Sequence, residues 1–132
     1  MSIRSVDEMV RKADAAVRTL SPAEAQAMAD EGAALLVDIR DVRELEREGR
    51  VPEARHAPRG MLEFWFDPAS EYHKPIFADG AKTYILFCAA AGRSALAAKA
   101  LQDMGFDNVA HMAGGFKRWR EEARPLETDP AA

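Results

Sequence analysis

The chain has 132 residues and one thiol, Cys88, at the head of the run Cys88-Ala89-Ala90-Ala91-Gly92-Arg93-Ser94. A lone cysteine is, by itself, more often an inert buried side chain than a nucleophile. Its neighbours change that reading. Residues 83–87 before it are apolar, β-branched and aromatic, as in a buried strand, and residues 94–104 after it are strong helix formers stopped by Gly105. A thiol at the C-terminal end of such a strand lies where parallel α/β proteins bind their ligands. The short side chains of Ala89, Ala90, Ala91 and Gly92 let successive backbone N–H groups turn toward one point. Those donors, the positive end of the following helix and the Arg93 guanidinium would stabilise a sulfur anion, the form of cysteine that attacks as a nucleophile.

Other groups could support such a centre, and each has a structural alternative. Asp38 and Arg40 close the apolar run Ala33-Ala34-Leu35-Leu36-Val37 and could orient the loop, or could form an ion pair that braces adjacent loops. Arg59, between Pro58 and Gly60, is a candidate anion contact or a solvated charge, and His56 lies in the same segment. Phe64, Trp65 and Phe66 could line a cleft; adjacent large aromatics also anchor long loops, and a core role is expected for two of the three. His111 follows a strand, shows no partner in the sequence and reads as structural. Glu121, Glu122 and the charges of 43–47 read as solvated faces.

Positioning these groups requires alternating strands and helices, and the patterning supplies them. Val6, Met9, Val10, Ala13 and Val17 recur at helical spacing and predict a leading helix within 1–18. Ser21-Pro22-Ala23-Glu24 combines a capping residue, an initial proline and a capping glutamate, so a helix is expected up to Glu31 and Gly32. The continuous apolar run 33–37 suits a strand buried on both faces. Residues 41–48 predict a short charged helix closed by Gly49. Residues 57–82 form the longest irregular stretch, a functional loop or a misread element. Residues 108–112 read as a strand, Gly114-Gly115 as a turn, and 116–123 as a last helix packing Phe116 and Trp119. The alternation indicates an α/β fold with a mainly parallel sheet, in a single domain over 1–132 with its core in 19–127 and an unstructured tail over 128–132.

Composition narrows the function classes. A net charge of −4, with bases and acids interleaved, lacks the basic stripe of a nucleic-acid binder. The three histidines, His56, His73 and His111, have no metal-ligand spacing, so neither metal nor other cofactor is expected. No segment has the length and apolarity of a membrane span or a signal peptide, and a single thiol suits a reducing compartment, so a cytoplasmic location is expected.

The loop from Cys88 to Ser94 resembles the active-site loop of the rhodanese family. Leu36-Val37-Asp38-Ile39-Arg40-Asp41 with Glu44 and Gly49-Arg50-Val51-Pro52-Glu53-Ala54 is similar to the family's first signature, although Arg50 and Glu53 replace its usual His and Gly. Gly105-Phe106 through Val109, with Gly114-Gly115-Phe116 and Trp119, resembles its closing segment, so the likeness spans about 20–127. The resemblance implies a five-stranded, mainly parallel α/β fold and a sulfurtransferase with Cys88 as catalytic residue. Cys88 would take sulfur from a small donor such as thiosulfate, hold it as a persulfide and yield it to cyanide, a thiol or a protein acceptor. With no second cysteine to resolve the intermediate as a disulfide, sulfur must leave to an external acceptor. Phosphatases and arsenate reductases use a related Cys-to-Arg loop, but with five intervening residues, whereas four separate Cys88 from Arg93. A non-catalytic rhodanese-like binding module is the alternative from another class, and retention of Cys88 with Arg93 argues against it.

Overall fold

The computed structural model describes residues 2–128, along which six α-helices and five strands alternate. They are α1 (Val6–Ala16), β1 (Arg18–Leu20), α2 (Pro22–Asp30), β2 (Ala34–Asp38), α3 (Val42–Glu48), β3 (Arg55–His56), α4 (Leu62–Phe66), β4 (Thr83–Phe87), α5 (Gly92–Met104), β5 (Val109–Met112) and α6 (Gly115–Glu121). Local chemistry starts these helices where the sequence says. Ser21 Oγ accepts from the Glu24 N–H at 3.1 Å while the Glu24 carboxylate accepts from the Ser21 N–H at 3.0 Å, which satisfies two otherwise orphaned donors of α2. Asp41 and Glu44 repeat the device at α3.

The strands form one sheet in the order β1-β5-β4-β2-β3, and every neighbouring pair is parallel. Both faces are covered, which is why the central strands are continuous apolar runs. Side-chain alternation sorts the core into two layers. Tyr84, Leu86 and Cys88 point to the face shared with Ala97, Ala98 and Leu101 of α5, whereas Ile85 and Phe87 join Ala25 of α2 and Phe116 and Trp119 of α6. Cys88 thus leaves the C-terminal end of the middle strand on the α5 side.

Two expectations need correction. The leading helix stops at Ala16, because Arg18 already pairs with Ala110 to begin β1. Its apolar stripe is half used: Ala13 and Val17 are buried, but Val6 is 62% and Met9 45% exposed. The stretch 57–82 is not wholly irregular, since it holds α4 and two single 3₁₀ turns, Arg59–Met61 and Pro75–Phe77. The expectation of an unstructured tail falls, Thr128 apart, outside the described residues.

Candidate active site

The loop after β4 is held by its carbonyls. The Phe116 N–H donates to the Cys88 carbonyl at 2.8 Å and the Lys117 N–H to that of Ala89 at 3.0 Å, so the start of α6 grips the loop backbone. Gly115 makes that approach possible: a Cβ there would lie 2.1 Å from the Ala90 carbonyl oxygen and 2.5 Å from that of Cys88, and its φ of +58° is left-handed. Because each peptide is planar and trans, carbonyls turned toward α6 direct the N–H groups of Ala89 and Ala90 away from it. Ala91, the N-cap of α5, offers no side-chain acceptor, which leaves the first-turn N–H groups of a 13-residue helix free to meet an anion. Cys88 itself is 1% exposed.

Arg93 sits at the head of α5 and reaches across to α3. Its Nη1 and Nη2 donate to the two carboxylate oxygens of Glu44 at 2.7 and 3.0 Å, a planar fork-on-fork pair. These bonds hold the Glu44 carboxyl below its ordinary value, and they raise Arg93, to which nearby Cys88 contributes less. Glu44 also accepts from the Asp41 N–H at 3.3 Å, so the loop is tied to the N-terminus of α3.

Ser94 is buried on the first turn of α5. Its Oγ accepts from the Cys88 thiol at 3.7 Å, and its one hydroxyl hydrogen has two acceptors in reach, the Ala91 carbonyl at 3.1 Å and His111 Nδ1 at 3.0 Å. The expectation that His111 lacks a partner is overturned, because its other nitrogen, Nε2, is 2.7 Å from Asp14 Oδ1 on α1. Asp14 was not recognised as a site residue. Nothing local marks it, since its partner is 97 positions away in the chain.

The remaining candidates separate into structure and surface. Arg40 and Asp38 form a buried pair, with Nε to Oδ1 at 3.0 Å and Nη2 to Oδ2 at 2.8 Å, and Nη2 also donates to the Gly49 carbonyl at 2.9 Å. Arg40 Nη1 is 3.7 Å from Glu48 Oε2, close enough for charge attraction but too far for a hydrogen bond, and it has no hydrogen-bond partner among the described residues. The Arg40 guanidinium stacks 4.0 Å from the Phe116 ring centroid, so this pair supports the residue whose N–H grips Cys88. Arg59 pairs with Glu63 at 2.7 Å, and His56 Nε2 meets the Arg40 carbonyl at 2.6 Å. Of the three aromatics, Phe66 is buried, Trp65 packs against the core and Phe64 is exposed. Glu53 stands at the position where the resemblance expects Gly, and its φ of 66° is the left-handed conformation that Gly adopts freely.

A parallel α/β sheet with a cysteine loop at the end of its middle strand defines the class, and the comparisons with known proteins agree. The model of the rhodanese-like domain matches residues 21–122, and the chain belongs to that family. It is 47% identical to a solved Rhodopseudomonas palustris protein of unknown function described as a possible tyrosine phosphatase, over 96% of this chain and 98% of that one, with a TM-score of 0.89. It is 31% identical to the homodimeric polysulfide-sulfur transferase of Wolinella succinogenes, over 94% of this chain and 88% of that one, with a TM-score of 0.72. An uncharacterised Synechocystis protein is 27% identical over 107 residues, 81% of this chain and 54% of its own length, so the chain spans about half of that curated relative. Helix α1, with Asp14, lies outside the residues that the family model matches.

Proposed function

We infer that the protein is a sulfurtransferase that carries sulfane sulfur on Cys88. The observation that carries this reading is the loop itself: the sole thiol stands beside backbone N–H groups turned away from α6 and beside the uncapped start of α5. The Cys88 thiolate would attack the outer sulfur of a donor such as thiosulfate. A sulfur–sulfur bond forms at Sγ as the donor's own bond breaks, and its electron pair leaves with sulfite. A cyanide ion or thiolate would then take the outer sulfur, forming thiocyanate or an acceptor persulfide and returning the Cys88 thiolate. Polysulfide joins thiosulfate as a candidate donor because the Wolinella relative is named for it. We place this activity in one domain working in a reducing, cytoplasmic setting, where a lone thiol stays unpaired.

A phosphatase is the second reading, favoured by the description of the Rhodopseudomonas relative. Against it stand the four-residue spacing to Arg93 and the engagement of that guanidinium by Glu44, which leaves its fork committed rather than free for phosphate. Intact mass after exposure to thiosulfate or polysulfide tests both. One added sulfur atom is expected, removable by cyanide and absent in Cys88→Ser. No gain with either donor would end the sulfurtransferase reading, and hydrolysis of an aryl phosphate that disappears in Cys88→Ser would replace it with the phosphatase.

A further inference from the structure

His111 is a buried polar group with two partners that lead in opposite directions. Alternation along β5 puts Val109 in the α5 layer and Ala110 and Met112 in the other, so the His111 ring faces the same layer as Cys88. From there its imidazole bridges Ser94 Oγ, 3.0 Å from Nδ1, and Asp14 Oδ1, 2.7 Å from Nε2. Ser94 in turn accepts from the Cys88 thiol. Three consecutive contacts therefore join a thiol that is 1% exposed to a carboxylate whose side chain is 54% exposed.

One placement of the hydrogens satisfies the whole chain of contacts. An ionised carboxylate only accepts, so Asp14 fixes the ring hydrogen on Nε2, and Nδ1 of the neutral ring is left as an acceptor. The Ser94 hydroxyl then turns its one hydrogen from the Ala91 carbonyl, 3.1 Å away, to Nδ1 at 3.0 Å, and its oxygen is available to the thiol. The groups facing His111 are Asp14 on α1 and Ser94 on α5, with Cys88 beyond Ser94. Its register partners, Thr19 on β1 and Leu86 on β4, carry no charge.

We propose that Ser94, His111 and Asp14 form a proton relay that sets the charge state of Cys88. As the thiol ionises, its S–H bond breaks and the electron pair stays on sulfur. The proton passes to Ser94 Oγ as the hydrogen of Ser94 moves to Nδ1. The products are a thiolate, an unchanged serine and an imidazolium facing the Asp14 carboxylate, so atoms and charge balance. Ser94 touches the reacting sulfur; His111 and Asp14 act through it as positioning residues. The relay gives α1 a place in the chemistry, and its value for sulfur transfer rests on the function inferred above. Its effect on the thiol does not.

Because Cys88 is the only thiol, thiolate ultraviolet absorbance against pH reports it without ambiguity. Ser94→Ala and Asp14→Asn should both move the titration to higher pH. Asp14→Asn keeps an acceptor and removes the charge at an exposed helix position, so the test does not depend on a buried His111→Gln variant folding. At neutral pH the thiolate fraction should fall about threefold to tenfold, with the smaller loss for the solvent-screened Asp14. Alkylation of Cys88 should slow to match and recover in alkaline solution, where hydroxide takes the proton directly; a packing defect would not recover with pH. Titration curves that coincide with the native one in both variants would overturn the relay, whether or not the native protein takes up sulfur. A shifted titration in a protein that takes up no sulfur would leave the relay standing and remove only the sulfurtransferase reading.

Discussion

Arg40 and Arg93 each fork onto a carboxylate beside the same loop, but water reaches only one of them. The Arg40 side chain is fully buried against Asp38, Gly49 and the Phe116 ring, whereas that of Arg93 is 43% exposed on Glu44. A buried charge stripped of its partner is costly, so the Asp38–Arg40 pair can be kept or replaced but not halved. An exposed pair contributes little to stability, which leaves the Arg93–Glu44 pair free to serve geometry. The two pairs also act on the loop through different contacts, one through Phe116 and the carbonyl grip, the other through the head of α5.

The largest effect should come from halving the buried pair. Arg40→Ala would strand the Asp38 carboxylate and is expected to cost about 3–5 kcal/mol in denaturant unfolding. Asp38→Leu combined with Arg40→Met should recover part of that loss, since it removes both charges together. A single Arg40→Ala that unfolds like the native protein would erase the contrast between the two pairs.

Arg93→Lys sharpens the contrast from the other side. Lys keeps the charge near Cys88 but cannot reproduce the bidentate fork on Glu44. Stability should change by about 1 kcal/mol or less. Sulfur uptake, followed by intact mass against time, should fall nearly as far as in Arg93→Ala. Near-native uptake in Arg93→Lys would mean that charge alone is needed and that the fork is incidental.

Much of this architecture was legible because the signals were local. The apolar run of β4, the small-residue loop and the helix formers of α5 bracket Cys88 directly, and the Ser21–Glu24 capping box reads off within four residues. What escaped was either too short or too distant. β1 and β3, with three and two residues, carry no period to detect, and sheet pairing rather than propensity makes them strands. Alternation from Val109 could have put His111 on the Cys88 face, but only the packing of α1 on α5 brings Asp14 to it. Glu44 was visible as an acidic member of the first signature, 49 positions from the arginine it holds.

The smallest effect is a pH dependence at the N-terminus of α3, which carries the Glu44 half of the exposed pair. Arg43 holds the Asp41 carboxyl down to about 2 from an ordinary 3.8, first through its guanidinium and then through its backbone N–H. Glu44 also lies below its ordinary 4.5, chiefly because of Arg93. Both groups bind protons more weakly when folded than when unfolded, so their stabilisation is fully present above those ordinary values. It fades as pH falls, and for Asp41 it is gone below about 2. Asp41→Asn keeps an N-cap acceptor and deletes the charge. Its melting temperature should therefore sit slightly below that of the native protein near neutrality and converge with it as the pH is lowered toward that limit. Curves that stay equally separated across the acid range would show that the Asp41 charge adds nothing to the cap.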